Sequence, residues 1–559
     1  QASSSAASDV YKRQDKIISI AKKSKSDAIH PGYGFLSENA PFVNRLKKEN
    51  IKFIGPNPMA IKKMGDKIES KNLAIKLKLN VIPGHTAPVK NASEALKISK
   101  KIGFPVLLKA SAGGGGKGMR IVRKDRELEE NFIAAKSESK KSFGDDRVFI
   151  EKYIEQPRHI EIQILCDKHG NQIHLGEREC SIQRRYQKVI EECPSPFVDE
   201  DMRSEMASQA LILAKEVKYD SAGTVEFVVD SKKNFYFLEM NTRLQVEHPV
   251  TELVTGIDLV EQMILSADNK KLAIRQEDIK LNGWSVESRI YAEDPTKDFL
   301  PSIGRVTRYI EPKKIEKDYE VIRNDTGISP GSEVSLYYDP MISKLAVHSK
   351  DRISAINLMI NSLQNYYLSG LENNIDFLIA ILEDKKFQKG EISTNFIKEK
   401  FKNGYSSNLT MTDDKRQKFG IIAMLMYAKQ SYNLSNVISK NFSVKISEDY
   451  LSIFLNEAAI VDNSLSLLIE INKKKIKVES SFNLNQKLCS FKVNEEIFYF
   501  KINDLINLHT SDVSFLDCRT KTVVVQSTQK DLLKLMPKDV KEDLSKKLIS
   551  PMPGLIKSV

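Results

Sequence analysis

Polar side chains alternate along the stretch NFYFLEMNTRLQVEHP, residues 234–249, in a way that could support chemistry. Every second position is acidic, amidic or basic: Glu239, Asn241, Arg243, Gln245 and Glu247. Because successive strand side chains point to opposite faces, an extended stretch places these groups on one side. A carboxylate beside an amide suits a hard metal ion, and a guanidinium suits an anion.

The segments TVEFVVD (224–230) and FYFLEMN (235–241) predict a hairpin around the turn SKKN. A turn centred between Lys232 and Lys233 places Glu226 directly opposite Glu239. Like charges at about 5 Å destabilise a strand pair unless a cation lies between them. With the nearby Asn241 oxygen, the pair predicts a Mg²⁺ or Mn²⁺ site. The alternative is a solvent-exposed polar face.

A glycine-rich segment, KASAGGGGKGMR at 109–120, follows the predicted buried strand FPVLLKAS. Gly113, Gly114, Gly115, Gly116 and Gly118 leave backbone N–H groups uncovered, which favours a mobile loop that closes over phosphates. Lys117 lies in this loop, and Lys109 stands before it, where it could reach a phosphate. The spacing matches neither a P-loop nor a dinucleotide fingerprint. A linker is the alternative interpretation.

Two further charged stretches are ambiguous by themselves. QRRYQKVIEE (183–192) favours a solvated charge run, and VFIEKYIEQPRHIEIQ (148–163) is compatible with a hinge beside a nucleotide base.

Composition restricts the class of protein. The 559 residues, with 41% hydrophobic and 29% charged, predict three or four domains of an ordinary globular protein. The net charge of +12 suits anionic partners such as nucleotides and CoA esters, and its scattered lysines argue against a dedicated nucleic-acid patch. Five cysteines without a CxxC pair favour a reducing compartment. The most apolar stretch, 419–428, is about half of a membrane span.

The elements that must position these residues follow an α/β pattern over 15–54 and a mostly helical one over 59–104. Strands are predicted over 145–175, a helix over 201–218, and strands then helix after 280, the helical stretch covering 351–386. Short alternating segments over 440–528 predict a mainly antiparallel β domain.

Eight ordered segments resemble the biotin carboxylase family of ATP-grasp enzymes. They are HPGYGFLSENA, FIGP, MGDKIESK, KASAGGGGKGMR, EKYIEQPRHIEIQIL, ERECSIQRRYQKVIEE, FLEMNTRLQVEHPVTE and ESRIYAEDP, within residues 15–390. Downstream, YYDPMISKL and the 400–545 region look most like the α subunits of propionyl-CoA carboxylases.

The resemblance implies an α/β fold with several domains. We expect an incomplete N-terminal α/β (preATP-grasp) subdomain at 15–66, an ATP-grasp domain at 67–278 and an α+β biotin carboxylase C-terminal domain at 279–395. A β-rich subunit-contact domain is expected at 405–545 and the first strand of a carrier domain at 549–559. Residues 1–14 match no fold signal and are interpreted as non-native or disordered.

The resemblance also implies a reaction in which ATP phosphorylates bicarbonate to carboxyphosphate, which releases CO₂ to N1 of biotin. Each implied role falls on named residues. The nucleotide is expected to contact Lys67, Lys109, Gly113 to Gly118, Glu151, Ile154, His159 and Tyr186, and two metal ions are expected to contact Glu226, Glu239 and Asn241. Bicarbonate is expected to contact Lys188, Arg243, Gln245 and Val246, with Glu247 as the base. Arg243 and Arg289 are expected to stabilise the biotin enolate, and Phe299 to pack near biotin. Tyr186 departs from the family, which often has His or Asn there.

The implied partners are a carboxyltransferase β subunit and a biotin carrier, in a hetero-oligomer without nucleic acid or membrane. The sequence lacks the family's Met-Lys-Met biotinylation motif, so biotin is expected as a free substrate or on a separate carrier. Acetyl-, methylcrotonyl- and geranyl-CoA carboxylase subunits are the alternatives, and pyruvate carboxylase is disfavoured because 440–528 shows no βα repeat. Abundant Lys, Asn and Ile favour a bacterial cytoplasm over a mitochondrial matrix.

Overall fold

The computed structural model describes residues 13–529, apart from 86, 111–118, 144, 318, 407–410, 432–439 and 462–463. The chain divides into two compact units, residues 1–410 with 516–518, and residues 411–515 with 519–559. The predicted phosphate loop Gly113–Gly118 and the predicted carrier strand at 549–559 lie outside the described residues.

The helices of the first unit begin mainly at Asn or Asp residues that cap their free N–H groups. The Asp199 side chain, for example, accepts from the Met202 backbone N–H at 3.0 Å. The α-helices described in this unit are Gln14–Lys23, Ala40–Lys48, Pro58–Gly65, Lys67–Lys76, Ala92–Ile102, Leu128–Phe143, Glu200–Glu216, His248–Thr255, Leu259–Ala267, Arg352–Gln364, Ile375–Leu382, Lys385–Gln388 and Phe396–Lys400. The 3₁₀ turns are Phe35–Glu38, Asp125–Glu127, Gln276–Asp278 and Pro295–Lys297.

A nine-stranded sheet is the scaffold of the first unit. Its strands, in spatial order, are Phe235–Asn241, Ala222–Val229, Arg158–Cys166, Gln172–Arg184, Gln187–Cys193, Trp284–Tyr291, Met341–Ser349, Glu320–Thr326 and Ile315–Lys317. Every pairing in this sheet is antiparallel. The helix Glu200–Glu216 contributes Met206, Ala210 and Leu213 to an apolar core with strand residues such as Ile160 and Phe227.

Smaller sheets complete the first unit. A four-stranded sheet has the order Gly84–His85, Val148–Lys152, Val106–Ala110 and Met119–Val122. Two-stranded pairs join Ala28–Ile29 with Lys52–Phe53, Glu293–Asp294 with Leu300–Pro301, Gly304–Arg305 with Glu333–Val334, and Arg308–Ile310 with Tyr367–Ser369.

The second unit is built on a closed eight-stranded antiparallel barrel. Its strands are Asn441–Ile446, Asp449–Val461, Ser464–Ile471, Lys474–Ser480, Leu488–Val493, Glu496–Leu505, Thr510–Phe515 and Cys518–Gln526, followed by the 3₁₀ turn Ser527–Gln529. The helix Asp413–Gln430 packs on the barrel at Gly420, where a Cβ atom would lie 2.5 Å from Leu451. A glycine at this position therefore permits the close approach of helix and barrel.

The structure confirms the α/β fold class with a mainly β domain. The predicted helix 201–218 is found at Glu200–Glu216. The helical prediction for 351–386 is wrong in its middle, where Tyr367–Ser369 pairs with Arg308–Ile310 as a strand. Among the described residues, no helix has the length and apolar character needed to cross a membrane.

Candidate active site

The hairpin that carries the predicted metal ligands has the expected register at the site. Glu226 lies directly opposite Glu239, which confirms the predicted pair. Nearer the turn a β-bulge shifts the pairing by one residue, so Phe227 faces Phe237. Only 4% of Glu226 is exposed, so the alternative of a solvent-exposed polar face is wrong for this residue.

The row of carboxylates extends one strand further than the hairpin. Glu161 pairs with Glu226 on one side and with Arg178 on the other. Arg178 is fully buried, and its Nε donates to Glu161 Oε1 at 2.6 Å. Neighbouring buried carboxylates repel one another, so this row is stable only with cations placed against it.

Lys188 is the second cation of the row. Its Nζ donates to Glu161 Oε2 at 2.6 Å and to Glu226 Oε1 at 3.3 Å, and it also contacts Glu247. Burial alone would lower the pKa of Lys188, but neighbouring Cys180 and these three carboxylates raise it well above its usual value. Lys188 is therefore charged at neutral pH.

The interpretation of 183–192 as a solvated charge run is wrong for most of its length. Glu191 and Glu192 are 0% and 2% exposed, whereas Tyr186, at the turn between two strands, is 58% exposed. A bulge in this strand pair changes the register near Lys188, so strict alternation does not predict which side chains face the site.

Glu247 directly precedes the helix His248–Thr255, in the turn that follows the strand Phe235–Asn241. It is fully buried, contacts Lys188, and accepts from Arg289 Nη2 at Oε2 over 2.8 Å. Burial would raise the pKa of Glu247, but Lys188, Arg289 and Arg178 lower it well below its usual value. This carboxylate is ionised at neutral pH, which is the state required of a general base.

Arg289 joins Glu247 to a second buried carboxylate. Its Nε donates to Glu191 Oε1 at 2.6 Å. Glu191 is the cross-strand neighbour of Glu287, which is also fully buried and has no hydrogen-bond partner for either side-chain oxygen among the described residues. Burial, reinforced by the neighbouring Glu191 and Glu247, raises the pKa of Glu287 to about 8.

The alternating residues that follow Asn241 converge although the strand ends there. Arg243 Nη1 donates to Gln245 Oε1 at 2.8 Å, and Gln245 Nε2 donates to Glu226 Oε1 at 3.0 Å. Arg243 Nε also donates to Glu38 Oε2 at 3.1 Å. Side-chain hydrogen bonds, and not continued pleating, bring this row together.

The predicted metal ligands Glu226, Glu239 and Asn241 offer hard oxygen donors to one region. Nitrogen groups already lie against the two carboxylates: His159 Nε2 is 2.8 Å from Glu226 and Lys67 Nζ is 3.4 Å from Glu239. The Asn241 Nδ2 donates to Glu226 Oε1 at 2.6 Å. The carboxylate oxygens of Glu226 and Glu239 are of the type that Mg²⁺ or Mn²⁺ prefers, whereas Asn241 turns its amide nitrogen, and not its oxygen, towards Glu226.

The predicted nucleotide contacts lie partly on the four-stranded sheet. Glu151 is 4% exposed and forms an ion pair at 2.7 Å with Lys109 Nζ through Oε2. Ile154 follows the end of the same strand, Val148–Lys152, and is half-buried. His159 instead lies against Glu226 and Gln183.

Two predicted residues, Phe299 and Val246, have other contacts. Phe299 stacks under Arg184 at 4.2 Å and packs edge-on against Phe377, with ring centroids 4.8 Å apart. The Val246 carbonyl accepts from Lys344 Nζ at 2.9 Å.

Sequence reasoning missed several members of this network: Glu161, Arg178, Glu191, Glu287, Lys344 and Lys71. Glu161 had a usable signal, because it alternates with Ile160 and Ile162 in a strand. That Glu161 pairs with Glu226 could not be predicted without the order of the strands in the sheet, because the two residues are 65 positions apart in the sequence.

Comparison with known proteins places this geometry in a family. The biotin carboxylase N-terminal domain model matches residues 2–61, the carbamoyl-phosphate synthase L chain ATP-binding domain model matches 66–275, and the biotin carboxylase C-terminal domain model matches 287–399. The mitochondrial propionyl-CoA carboxylase alpha chain of Homo sapiens is 48% identical over 557 residues, covering 98% of this chain and 76% of that protein. The family is thereby settled. The chain belongs to the propionyl-CoA carboxylase alpha-chain family of biotin carboxylases.

Other relatives agree with this family assignment. The propionyl-CoA carboxylase alpha chain of Ruegeria pomeroyi is 44% identical over 566 residues, covering 98% of this chain and 83% of that protein. A biotin carboxylase–β,γ-ATP complex from Campylobacter jejuni has a TM-score of 0.66 at 46% identity and covers 69% of this chain and 85% of that chain. As a member of the family, the protein is an ATP-grasp ligase that carboxylates biotin.

Proposed function

We propose that this chain is the biotin carboxylase subunit of a propionyl-CoA carboxylase and that the network around Glu247 is its reaction centre. ATP phosphorylates bicarbonate to carboxyphosphate, which breaks down to CO₂ and phosphate. The CO₂ carboxylates N1 of biotin, and the phosphate takes the N1 proton. The ionised Glu247 between Lys188 and Arg289 is the observation that carries this proposal.

The metal end of the site consists of Glu226, Glu239 and Asn241. A divalent ion bound there would supply charge neutralisation to the phosphates. Lys67 and Lys109 bind phosphate oxygens, and the loop Gly113–Gly118 with Lys117 closes over them. Glu151, Ile154 and Tyr186 border the nucleotide, with His159 between it and Glu226.

The carboxylation end consists of the residues that surround Glu247. Arg243, Lys188, Gln245 and the Val246 backbone bind bicarbonate, and a Glu247 carboxylate oxygen accepts its proton. The Arg243 and Arg289 guanidinium groups stabilise the developing biotin enolate, for which their fixed donor geometry is suited. Phe299 packs beside biotin.

The partners of this proposed subunit are a carboxyltransferase β subunit and a biotin carrier domain in a hetero-oligomer. The near-full-length identity with propionyl-CoA carboxylase alpha chains supports propionyl-CoA as the acyl acceptor of the complex. The relatives include mitochondrial and bacterial proteins, and we place this chain in a bacterial cytoplasm. Domain limits are proposed at 15–66, 67–278, 279–395 and 405–545.

The test is ATP hydrolysis by the purified chain with magnesium, with and without bicarbonate and free biotin. We expect hydrolysis to require bicarbonate and to increase when biotin is added. A folded sample whose hydrolysis ignores both compounds would contradict the proposal. Coexpression with candidate β subunits and a panel of acyl-CoA esters identifies the acceptor.

A further inference from the structure

The helix Lys67–Lys76 presents two lysines to different parts of the proposed nucleotide site. Lys67 and Lys71 are one turn apart, which places them on the same helix face. Lys67 Nζ lies 3.4 Å from Glu239 Oε2, at the metal end. Lys71 Nζ contacts Glu151 and donates to the Ile82 carbonyl at 3.2 Å, at the edge of the four-stranded sheet. One helix thus contacts both the proposed metal ligand Glu239 and Glu151 on the four-stranded sheet.

Glu151 is shared between Lys71 and a second lysine, Lys109, which has been proposed above as a phosphate ligand. Lys109 Nζ is 2.7 Å from Glu151 Oε2, while Lys71 contacts Oε1. In the strand pairing Glu151 faces Leu107, so Lys109, two residues on, is its diagonal neighbour. Gly84 lies against the other side of Glu151, where a Cβ atom would meet the Ile150 carbonyl at 2.7 Å.

The three charged groups are sheltered from solvent. The exposed side-chain fractions are 13% for Lys71, 16% for Lys109 and 5% for Glu151. Charges in such positions are screened little by salt and influence one another strongly. Burial would raise the pKa of Glu151, but Lys109 and Lys71 lower it to about 2. Glu151 is therefore ionised at neutral pH, and counted with the two lysine side chains the cluster has a formal net charge of +1.

We propose that Lys71 is a nucleotide-positioning residue that keeps Lys109 available to phosphate by sharing the charge of Glu151. Without Lys71, Lys109 and Glu151 form a closed neutral pair, and an incoming phosphate must compete with Glu151 for the ammonium group. With Lys71 present, the cluster retains one positive charge that attracts the nucleotide. This inference rests on the proposed ATP site and adds a residue to which no role has been given.

The experiment measures nucleotide affinity of the full chain by calorimetry, without turnover, and KM and kcat for ATP in parallel. We expect Lys71→Met to raise Kd and KM for ATP about tenfold or more with kcat within about twofold. Lys71→Arg, which keeps the charge, should remain close to wild type. The affinity loss should grow from AMP to ADP to ATP, because it depends on phosphate charge.

A second variant separates charge sharing from a structural role. Because Glu151 itself borders the proposed nucleotide, Glu151→Gln alone is the reference. Adding Lys71→Met to Glu151→Gln should cost much less affinity for ATP than Lys71→Met costs in the wild-type protein, because no Glu151 charge remains to be shared. A folded Lys71→Met protein that binds ATP as tightly as wild type overturns the proposal, as does an equal loss for AMP and ATP. Wild-type protein that binds no nucleotide would instead refute the proposed function.

Discussion

The strand Ser464–Ile471 of the barrel and the strand Arg158–Cys166 of the nine-stranded sheet bury their side chains by opposite means. In the barrel strand, buried Leu465, Leu467, Ile469 and Ile471 alternate with half-buried positions. In the second strand, Glu161 and Gln163 are completely buried between apolar neighbours. Both strands show the same period of two, but only one keeps its polar face near water.

The two buried strand faces are stabilised by different interactions. An apolar face is stabilised by burial itself, at about 25 cal/mol per Å². A buried carboxylate is stable only while specific cations and donors contact it, and removing one partner leaves an uncompensated charge. The barrel core should therefore accept other apolar side chains of similar volume. The charged sheet face should lose stability when a single hydrogen-bonding or charged group is removed.

The largest expected effect comes from the ionised carboxylate at the centre of the charged face. Glu247→Gln keeps the shape, but it loses one of the two oxygens that accept from Lys188 and Arg289 and cannot accept a proton, so kcat for bicarbonate-dependent ATP hydrolysis should fall about 10²- to 10⁴-fold. The exposed Glu448→Gln in the barrel unit is the control and should be unchanged. If Glu247→Gln kept activity within threefold of wild type, Glu247 would not be the base of the reaction.

The next effect tests the compensation of the carboxylate row. Arg178→Met leaves Glu161 without its buried guanidinium and should lower the free energy of unfolding by about 3–5 kcal/mol. The single tryptophan, Trp284, lies in the sheet unit and reports this by fluorescence. The exposed Arg185→Met should change stability by less than about 0.5 kcal/mol. Equal effects of the two substitutions would contradict a special role for the buried row.

A smaller effect is expected for the apolar region. Ile469→Ala removes fully buried methyl groups from the barrel, which typically costs about 2–5 kcal/mol. The midpoint of thermal unfolding should fall more when unfolding is followed by far-ultraviolet circular dichroism than when it is followed by Trp284 fluorescence. ATP hydrolysis at 25 °C should be retained. Lost hydrolysis in a folded variant would show that the two regions are not independent in function.

The smallest effect, counted for each pH unit, concerns Glu287, whose two oxygens have no hydrogen-bond partner among the residues described. Burial with Glu191 and Glu247 raises its pKa to about 8, although Lys344 and Arg289 oppose the shift. The folded state therefore keeps a proton that the unfolded state has lost, and stability falls as pH rises from about 4.5 to about 8.

Glu287→Gln cannot ionise, so its stability should fall less over this pH window, each pH unit accounting for at most about 1.4 kcal/mol. Denaturant unfolding at pH 5 to pH 8, followed by Trp284 fluorescence, measures the difference. The exposed Glu277→Gln should follow the wild-type curve. A Glu287→Gln curve parallel to wild type would mean that Glu287 titrates normally.

Much of the fold and part of the site could be predicted from local patterns. The pair Glu226–Glu239 was predicted from the turn position, but next to the turn the strands pair one residue away from the predicted register, and a β-bulge restores that register only at Glu226. Alternation was sufficient to predict the β domain at 440–528. The interpretation of 183–192 as a solvated charge run was wrong, because Glu191 and Glu192 are buried in the sheet. Local patterns record periodicity, and they do not record which strand lies alongside.

The sequence by itself determined the family, the chemical types of the proposed ligands and the hairpin that presents them. Only the tertiary structure brought Glu161 between Glu226 and Arg178, and Lys71 beside the Glu151 that Lys109 also contacts. The physical reason is that charge compensation depends on distance in space. Whether a buried carboxylate serves as a base, as a metal ligand or as the shared partner of two lysines depends on cations supplied by strands and helices remote in sequence.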